Sequence, residues 1–151
     1  AALALTGLTA LVAVEDTLKL RNGETILIQG GAGGVAGFAI QLAKHIGARV
    51  ITTASATNHD YLRSLGADEI IDYRTQDFTK VVSGCDAVFD TVGGETTQRS
   101  FAVLRPGGRA AFIASGVSFL PSRPPAPSRT ISFSRSTISN EKSGRTRTTI
   151  M

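Results

Sequence analysis

The stretch that decides the fold covers residues 25–44 and reads TILIQGGAGGVAGFAIQLAK. Its first five residues favour a strand, a run of glycines follows, and the rest has the apolar period of a helix. The glycines nearly match the spacing G-x-G-x-x-G, with Gly31, Gly33 and, at the third position, Ala36. This order of strand, glycines and helix predicts a turn that can hold a phosphate at the start of the helix.

Each position of the loop has a physical requirement. Gly31 permits a tight turn after the strand, and Gly33 lets the backbone come close to a pyrophosphate. The third residue must be small so that the helix packs on the strand, and Ala36 meets that requirement. A glycine-rich turn without a ligand is the alternative, and the setting between a strand and an amphipathic helix disfavours it.

Outside this stretch, strand and helix alternate. Residues 3–14 are predicted to form a buried helix and residues 34–46 the helix after the glycines, closed by Gly47. Further strands are predicted in RVITTA, DEIIDY, CDAVFD and RAAFIAS, further helices in HDYLRSLG and ETTQRSFAVL, and a turn in RPGG. Because no hairpin signal interrupts the alternation, the pattern predicts an α/β fold: a Rossmann-type, doubly wound parallel sheet of five strands in the order 3-2-1-4-5.

Composition restricts the remaining possibilities. The chain has 151 residues, 42% of them hydrophobic, and no apolar run long enough to span a membrane. Residues 1–14 are interpreted as a helix and not as a signal peptide, because no basic segment precedes them. Cys85 is the single cysteine, which excludes a disulfide framework and favours a cytoplasmic location. The two histidines lack the spacing of metal ligands, so no metal site is predicted.

Charge divides the chain at residue 116. Residues 1–116 hold 10 basic and 11 acidic residues, whereas residues 117–151 hold 6 and 1, so the net charge of +4 comes from the tail. The tail is rich in Ser, Thr, Pro and Arg and shows no sixth strand, so it is predicted to be disordered. It has few aromatic residues, which disfavours nucleic-acid binding. The predicted dinucleotide-binding domain therefore covers residues 1–116.

The end of the second strand indicates the cofactor. An acidic residue there would bind a ribose 2′-hydroxyl and favour NAD, but the sequence has Ala54, Ser55, Thr57 and Asn58. Small hydroxylated residues leave room for a 2′-phosphate and can donate to it, so NADP (NADPH) is favoured. The alternative is that Ser55 and Thr57 cap the following helix, which they could do while also meeting a phosphate.

Five motifs together resemble a known family. GLTA, GGAGGVAGFAIQLAK, LRSLGADEIIDYR, VFDTVGGET and VLRPGGR follow the order and spacing of the medium-chain dehydrogenase/reductases, in the zinc-free, zeta-crystallin-like quinone oxidoreductase branch. The resemblance covers roughly residues 1–116. It implies NADPH binding and two-electron reduction of a small-molecule quinone or α,β-unsaturated carbonyl.

The resemblance also implies which residues contact the cofactor. The pyrophosphate contacts fall on Ala32, Gly33, Gly34 and Val35, and the contacts with the 2′-phosphate and the adenosine fall on Ala54, Ser55 and Tyr73. The turn that faces the ribose and the nicotinamide falls on Val92, Gly93 and Gly94, and the end of strand five, near the nicotinamide, falls on Ile113, Ala114 and Ser115.

Three departures from the family are visible. Ala36 replaces the last loop glycine, and Asn58 stands where many NADPH-binding members have a lysine. The preceding catalytic domain and the sixth strand, which helps form a homodimer in the full-length family, are missing, so a truncated chain is expected. The tail resembles no part of the family and is interpreted as the product of a shifted reading frame. Two alternatives stay open: an inert nucleotide-binding fragment or interaction module, and an S-adenosylmethionine binder.

Overall fold

The structure is a computed structural model that describes residues 2–113 and 129–133. Its strands are β1 to β6: Thr25–Gln29, Arg49–Ala54, Glu69–Asp72, Cys85–Asp90, Leu104–Ile113 and Arg129–Phe133. Its α-helices are α1 to α5: Ala2–Leu11, Gly34–Ile46, His59–Ser64, Phe78–Val81 and Glu95–Ser100. The strands form one sheet in the order β3-β2-β1-β4-β5-β6, and every pair is parallel. The predicted order of the first five strands is confirmed.

The central strand β1 is covered on both faces. Ile26 and Ile28 belong to one buried cluster with residues of α2, and Leu27 belongs to a second cluster on the other face. A strand buried on both sides needs apolar residues at successive positions, which explains the sequence ILI. Helix α2 ends at Ile46 and is capped by Gly47, whose φ of 94° gives the left-handed cap expected there.

The sixth strand contradicts the prediction that the tail has none. Strand β6 pairs with β5 from Arg109 opposite Arg129 to Ile113 opposite Phe133. Its sequence, RTISF, contains β-favouring residues, but the surrounding Ser, Pro and Arg hide so short a run in a composition window. The edge of β5 supplies the hydrogen-bonding partner that a local pattern does not reveal. The rest of residues 117–151 lies outside the described residues, so the predicted disorder and the boundary at residue 116 stay predictions.

Strand β5 begins earlier than expected. It starts at Leu104 and includes RPGG, residues 105–108, which were predicted to form a turn. The pairing register with β4 shifts between Cys85 and Ala87, and Gly107 has a φ of 77°. The glycines therefore accommodate an irregularity inside the strand and do not end it.

Helix α1 is only partly buried, so the prediction of a buried helix is wrong. Leu3, Leu5, Leu8 and Leu11 are 73, 67, 56 and 40% exposed. The small residues pack inward instead: Ala10 lies in the cluster that contains the buried face of α2. An apolar groove of about 530 Å³ runs between the two helices. Within the described part of the chain, no helix has the length and apolar character needed to cross a membrane.

Candidate nucleotide-binding site

A cleft of about 510 Å³ opens at the carboxyl ends of the strands, where doubly wound sheets bind their ligands. Its wall is built from the ends of β1, β2 and β3, the segments that follow them, the turn after β4, and α5. The lining residues are Gln29, Gly30, Ala32, Thr53, Ala54, Ser55, Asn58, Tyr73, Gln76, Phe78, Val92, Thr96 and Arg99.

The turn after β1 depends on two glycines for different reasons. Gly30 has a φ of +70°, so it is the residue that needs left-handed backbone, although the G-x-G-x-x-G spacing begins only at Gly31. A Cβ on Gly31 would lie 2.2 Å from Thr52 Oγ1, so a side chain there is excluded by packing. Gly31 N–H donates to Thr53 O at 3.0 Å, which ties the turn to β2.

Helix α2 presents its amino terminus at this turn. Gly33 is the extended N-cap residue and makes no side-chain capping bond, and Ala32, Gly33 and Gly34 are exposed. The first N–H groups of a helix have no partner within it, so they are available to an anion. Val35 is half-buried, and Ala36 is fully buried in the core as the predicted small third residue. The backbone here fits a pyrophosphate.

A chain of buried polar groups lies beneath the turn. Thr53 Oγ1 accepts from Gly30 N–H at 3.1 Å and donates to Gln29 Oε1 at 2.7 Å. The other end of that amide, Gln29 Nε2, donates to Ser100 Oγ of α5 at 3.0 Å. Thr91 Oγ1 donates to Gln29 O at 2.8 Å. Because these groups satisfy one another, β1, β2 and α5 are held in one arrangement under the cleft.

The turn after β4 is organised by Asp90. This carboxylate is fully buried, and its Oδ1 accepts from the N–H groups of Val92 at 2.8 Å and Gly93 at 3.1 Å. Its Oδ2 accepts from the Thr97 hydroxyl of α5. Three donors thus stabilise the buried charge and fix the turn TVGG, in which Val92 lines the cleft and Gly94 is exposed.

Hydroxyl and amide groups face the cleft beyond β2. Ser55 Oγ lies 3.1 Å from Thr57 Oγ1 and accepts from Asn58 Nδ2 at 3.1 Å. Ser55 is the N-cap of the short 3-10 turn Ala56–Asn58, but its side chain makes no capping hydrogen bond. Asp60 is paired with Arg63 on α3 and does not line the cleft. No carboxylate is found among the described residues of the lining.

The structure brings together only part of the predicted site. Five predicted residues line the cleft: Ala32, Ala54, Ser55, Tyr73 and Val92. Gly93 and Gly94 continue the turn after β4, and Ile113 is the last residue of β5. Ala114 and Ser115 lie outside the described residues, and the roles of all these positions stay predictions.

Four lining residues have no signal in the sequence: Gln76, Phe78, Thr96 and Arg99. They follow β3 or lie on α5, and only the packing of these segments places them at the cleft. The glycine-loop motif therefore gives no signal for them.

Two other groups lie away from the cleft. Asp86 lies near the start of β4, at the opposite end of that strand from Asp90. Cys85 is fully buried, and this burial, with Asp86 nearby, raises the pKa of its thiol to about 11. Among the described residues, no cluster of three or more His, Cys, Asp or Glu side chains could hold a metal ion.

Most of the chain matches one known protein family. The sequence model described as "Zinc-binding dehydrogenase" matches residues 34–148, well over half of the chain. The chain belongs to this family. Within it, the chain is a cofactor-binding domain of the quinone oxidoreductase-like, medium-chain dehydrogenase/reductase type. The match extends into the tail as far as residue 148, so the expectation that the tail resembles no part of the family is wrong.

Individual members of the family are similar over most of the described fold. A 2-haloacrylate reductase from Burkholderia sp. is 39% identical in an alignment 127 residues long, which covers 78% of this chain and 38% of that protein. The crystal structure of a 2-haloacrylate reductase superposes with a TM-score of 0.74 at 38% identity, covering 80% of this chain and 40% of the other. The quinone oxidoreductase from Coxiella burnetii gives a TM-score of 0.68 at 40% identity, covering 76% and 35%. The chain thus spans less than half the length of these relatives.

Proposed function

We propose that this chain is the NADPH-binding part of an oxidoreductase that reduces quinones or α,β-unsaturated carbonyl compounds. The family and the similar reductases support a nicotinamide-dependent oxidoreductase. The observation that carries the choice of NADPH is the cleft beyond β2, where Ser55 and Asn58 offer hydroxyl and amide donors and no described carboxylate lines the wall. A carboxylate there would accept the 2′-hydroxyl of NADH and repel a 2′-phosphate.

A nearby cation strengthens this choice. Tyr73 lines the cleft, and the Arg74 guanidinium carbon lies 5.9 Å from the centre of its ring. Both residues follow β3, next to the end of β2. Arg74 can therefore supply positive charge to a 2′-phosphate held by Ser55 and Asn58.

The residues of the chain bind and orient the cofactor. The N–H groups at the start of α2, from Gly34 onward, would hold the pyrophosphate, and the Asp90-stabilised turn would support the nicotinamide half. The chemistry supplied by bound NADPH is transfer of a hydride to an electron-poor carbon. A fixed backbone at both ends of the dinucleotide lowers the entropic cost of presenting that hydride to a substrate.

Calorimetric titration of the purified chain with NADPH, NADH and S-adenosylmethionine tests the proposal. We expect NADPH to bind more tightly than NADH, and the preference to shrink in Arg74→Met. Binding of S-adenosylmethionine alone would overturn the oxidoreductase assignment in favour of the methyltransferase-like alternative.

Activity requires a separate assay. An enone or quinone, supplied with NADPH, should be reduced by a protein that contains this domain together with the remainder present in its longer relatives. NADPH binding without turnover by the 151-residue chain itself would favour the alternative of a nucleotide-binding fragment and leave the binding assignment intact.

A further inference from the structure

Arg99 is a charged residue of the cleft that the nucleotide-binding motifs leave unexplained. It lies on α5, and among the described lining residues it is the one that carries a formal charge. Its side chain is 40% exposed, so it is reachable from the cleft. Its position is fixed by two neighbours, Asp77 and Phe78, that precede and begin α4.

The first neighbour neutralises the charge. Arg99 Nη2 donates to Asp77 Oδ1, which also accepts from Thr79 N–H at 3.0 Å and from the Thr79 hydroxyl at 2.7 Å. These hydrogen bonds from Thr79, together with Arg99, hold the pKa of the Asp77 carboxyl below its usual range. Asp77 is therefore ionised at neutral pH, and Arg99 is half of an ion pair and not a free cation.

The second neighbour orients the guanidinium plane. The Arg99 guanidinium carbon lies over the Phe78 ring, 5.1 Å from its centre, and Phe78 itself is only 6% exposed. A guanidinium that is stacked on a buried ring and tied to a carboxylate presents its other face with little freedom left to lose.

The location of this face decides which part of a dinucleotide it meets. Phe78 and Gln76 follow β3, the neighbour of β2, so they lie on the same side of the glycine turn as Ser55 and Tyr73. In a doubly wound fold, the half of the dinucleotide next to the end of β2 is the adenosine half. Planar purines stack on arginine guanidinium groups as well as on aromatic rings.

We infer that Arg99, stacked on Phe78 and anchored by Asp77, forms the wall on which the adenine ring of the nucleotide stacks. The inference rests on the proposed function, because it assigns a binding residue to the same cleft. It assigns two roles on this side of the site. Arg99 binds the base of any adenine nucleotide, whereas Ser55, Asn58 and Arg74 distinguish a 2′-phosphate from a 2′-hydroxyl.

Titration of the full chain with NADPH and with ADP tests the inference, since ADP has the base but neither the 2′-phosphate nor the nicotinamide. Arg99→Met should lower the affinities for both ligands by the same factor, roughly tenfold. Arg99→Lys should lose nearly as much, because an ammonium group keeps the charge but not the plane. Arg63→Met is the matched control: Arg63 also pairs with an aspartate, lies outside the cleft, and should leave both affinities unchanged.

Other results would overturn it. If Arg99→Met binds ADP as tightly as the wild type and loses affinity only for NADPH, Arg99 is not a base-stacking residue. The same conclusion follows if Arg99→Lys binds both ligands as tightly as the wild type. Wild-type chain that binds neither NADPH nor ADP would overturn the proposed function as well. If Arg99→Met fails to fold, Asp77→Asn carries the test, because it keeps Arg99 and Phe78 but frees the guanidinium, and ADP affinity should fall by a smaller factor.

Discussion

The two ends of the sheet use polar residues in opposite ways. At the amino ends of the strands there are four ion pairs: Lys44–Asp68, Arg49–Glu69 and Arg105–Asp86, which are partly exposed, and Arg109–Glu24, which is mostly buried. At the carboxyl ends, the polar groups beneath the cleft are amides and hydroxyls, and the buried acid, Asp90, is saturated by three donors. One ion pair, Arg99–Asp77, lies at the wall of the cleft.

The difference shows which end of the sheet neutralises its charges internally and which end can take up an anionic ligand. The amino ends carry both members of every pair, so they are complete without a ligand. The carboxyl ends direct N–H dipoles and the start of α2 toward a cleft that receives its negative charge from outside. Changes at the carboxyl ends should therefore alter binding and stability together, whereas changes at the amino ends should alter stability alone.

The largest effect is expected from removing the buried acid. Asp90→Ala leaves two N–H groups and the Thr97 hydroxyl without their acceptor, so the free energy of unfolding should fall by about 3 kcal/mol. NADPH affinity should fall with it, because the turn that contains Val92 loses its support. Urea unfolding and calorimetry measure the two effects.

Asp86→Ala is the control at the other end of the same strand. Thr25 N–H, which donates to Asp86 at 2.8 Å, loses its acceptor, but water reaches this site, so a smaller loss of about 1 kcal/mol is expected. NADPH affinity should not change. Equal effects of the two substitutions on binding would contradict the division between the two ends.

A second comparison separates packing from ligand contact within the glycine turn. Gly31→Ala should destabilise the fold by about 1–3 kcal/mol, because the added Cβ meets Thr52. Gly33→Ala has room, with its nearest contact at 3.4 Å and a φ of −73°, so its melting temperature should stay the same or rise slightly. NADPH binding should nevertheless weaken, by roughly tenfold, because the Cβ obstructs the approach of the pyrophosphate. If Gly33→Ala binds NADPH with wild-type affinity, the start of α2 is not part of the binding site.

The smallest effect is the response to acid. Burial alone would raise the pKa values of Asp68 and Asp86, but N–H donors and the paired Lys44 and Arg105 outweigh it and lower both pKa values. A lowered pKa in the folded state stabilises the fold above the unfolded value of about 3.8, and this stability is lost as pH falls below that value. Each partly exposed pair should contribute less than about 1 kcal/mol.

Chemical denaturation between pH 5 and pH 2.5 measures this loss. Asp68→Asn should be less stable than the wild type at pH 5 and should lose less of its stability on acidification. A wild-type stability that rises on acidification would contradict the assignment of charge to the amino ends.

The sequence predicted the elements whose signals are local. Strand β1 and helix α2 were correct in their bounds, because an apolar run, glycines and a helical period follow one another without interruption. Strand β6 was missed because its pairing depends on the edge of β5, which is distant in sequence. The exposure of the leucines of α1 was not predicted, because the sequence of a mostly apolar helix does not indicate which of its faces is buried.

The candidate site divides in the same way. The glycine turn and Ser55 carry recognisable patterns. The Thr53–Gln29–Ser100 contacts and the stacking of Arg99 on Phe78 join residues 21 to 71 positions apart, and no spacing rule relates them. Only a three-dimensional arrangement shows that they border one cleft.

The buried thiol of Cys85 can report how often the sheet opens. It is the only cysteine in the chain, it is fully covered at the start of β4, and its raised pKa leaves almost no thiolate at neutral pH. A thiol reagent can therefore react at an appreciable rate only while β4 is separated from its neighbours. The rate of labelling thus measures how often the central strands open, without any engineered probe.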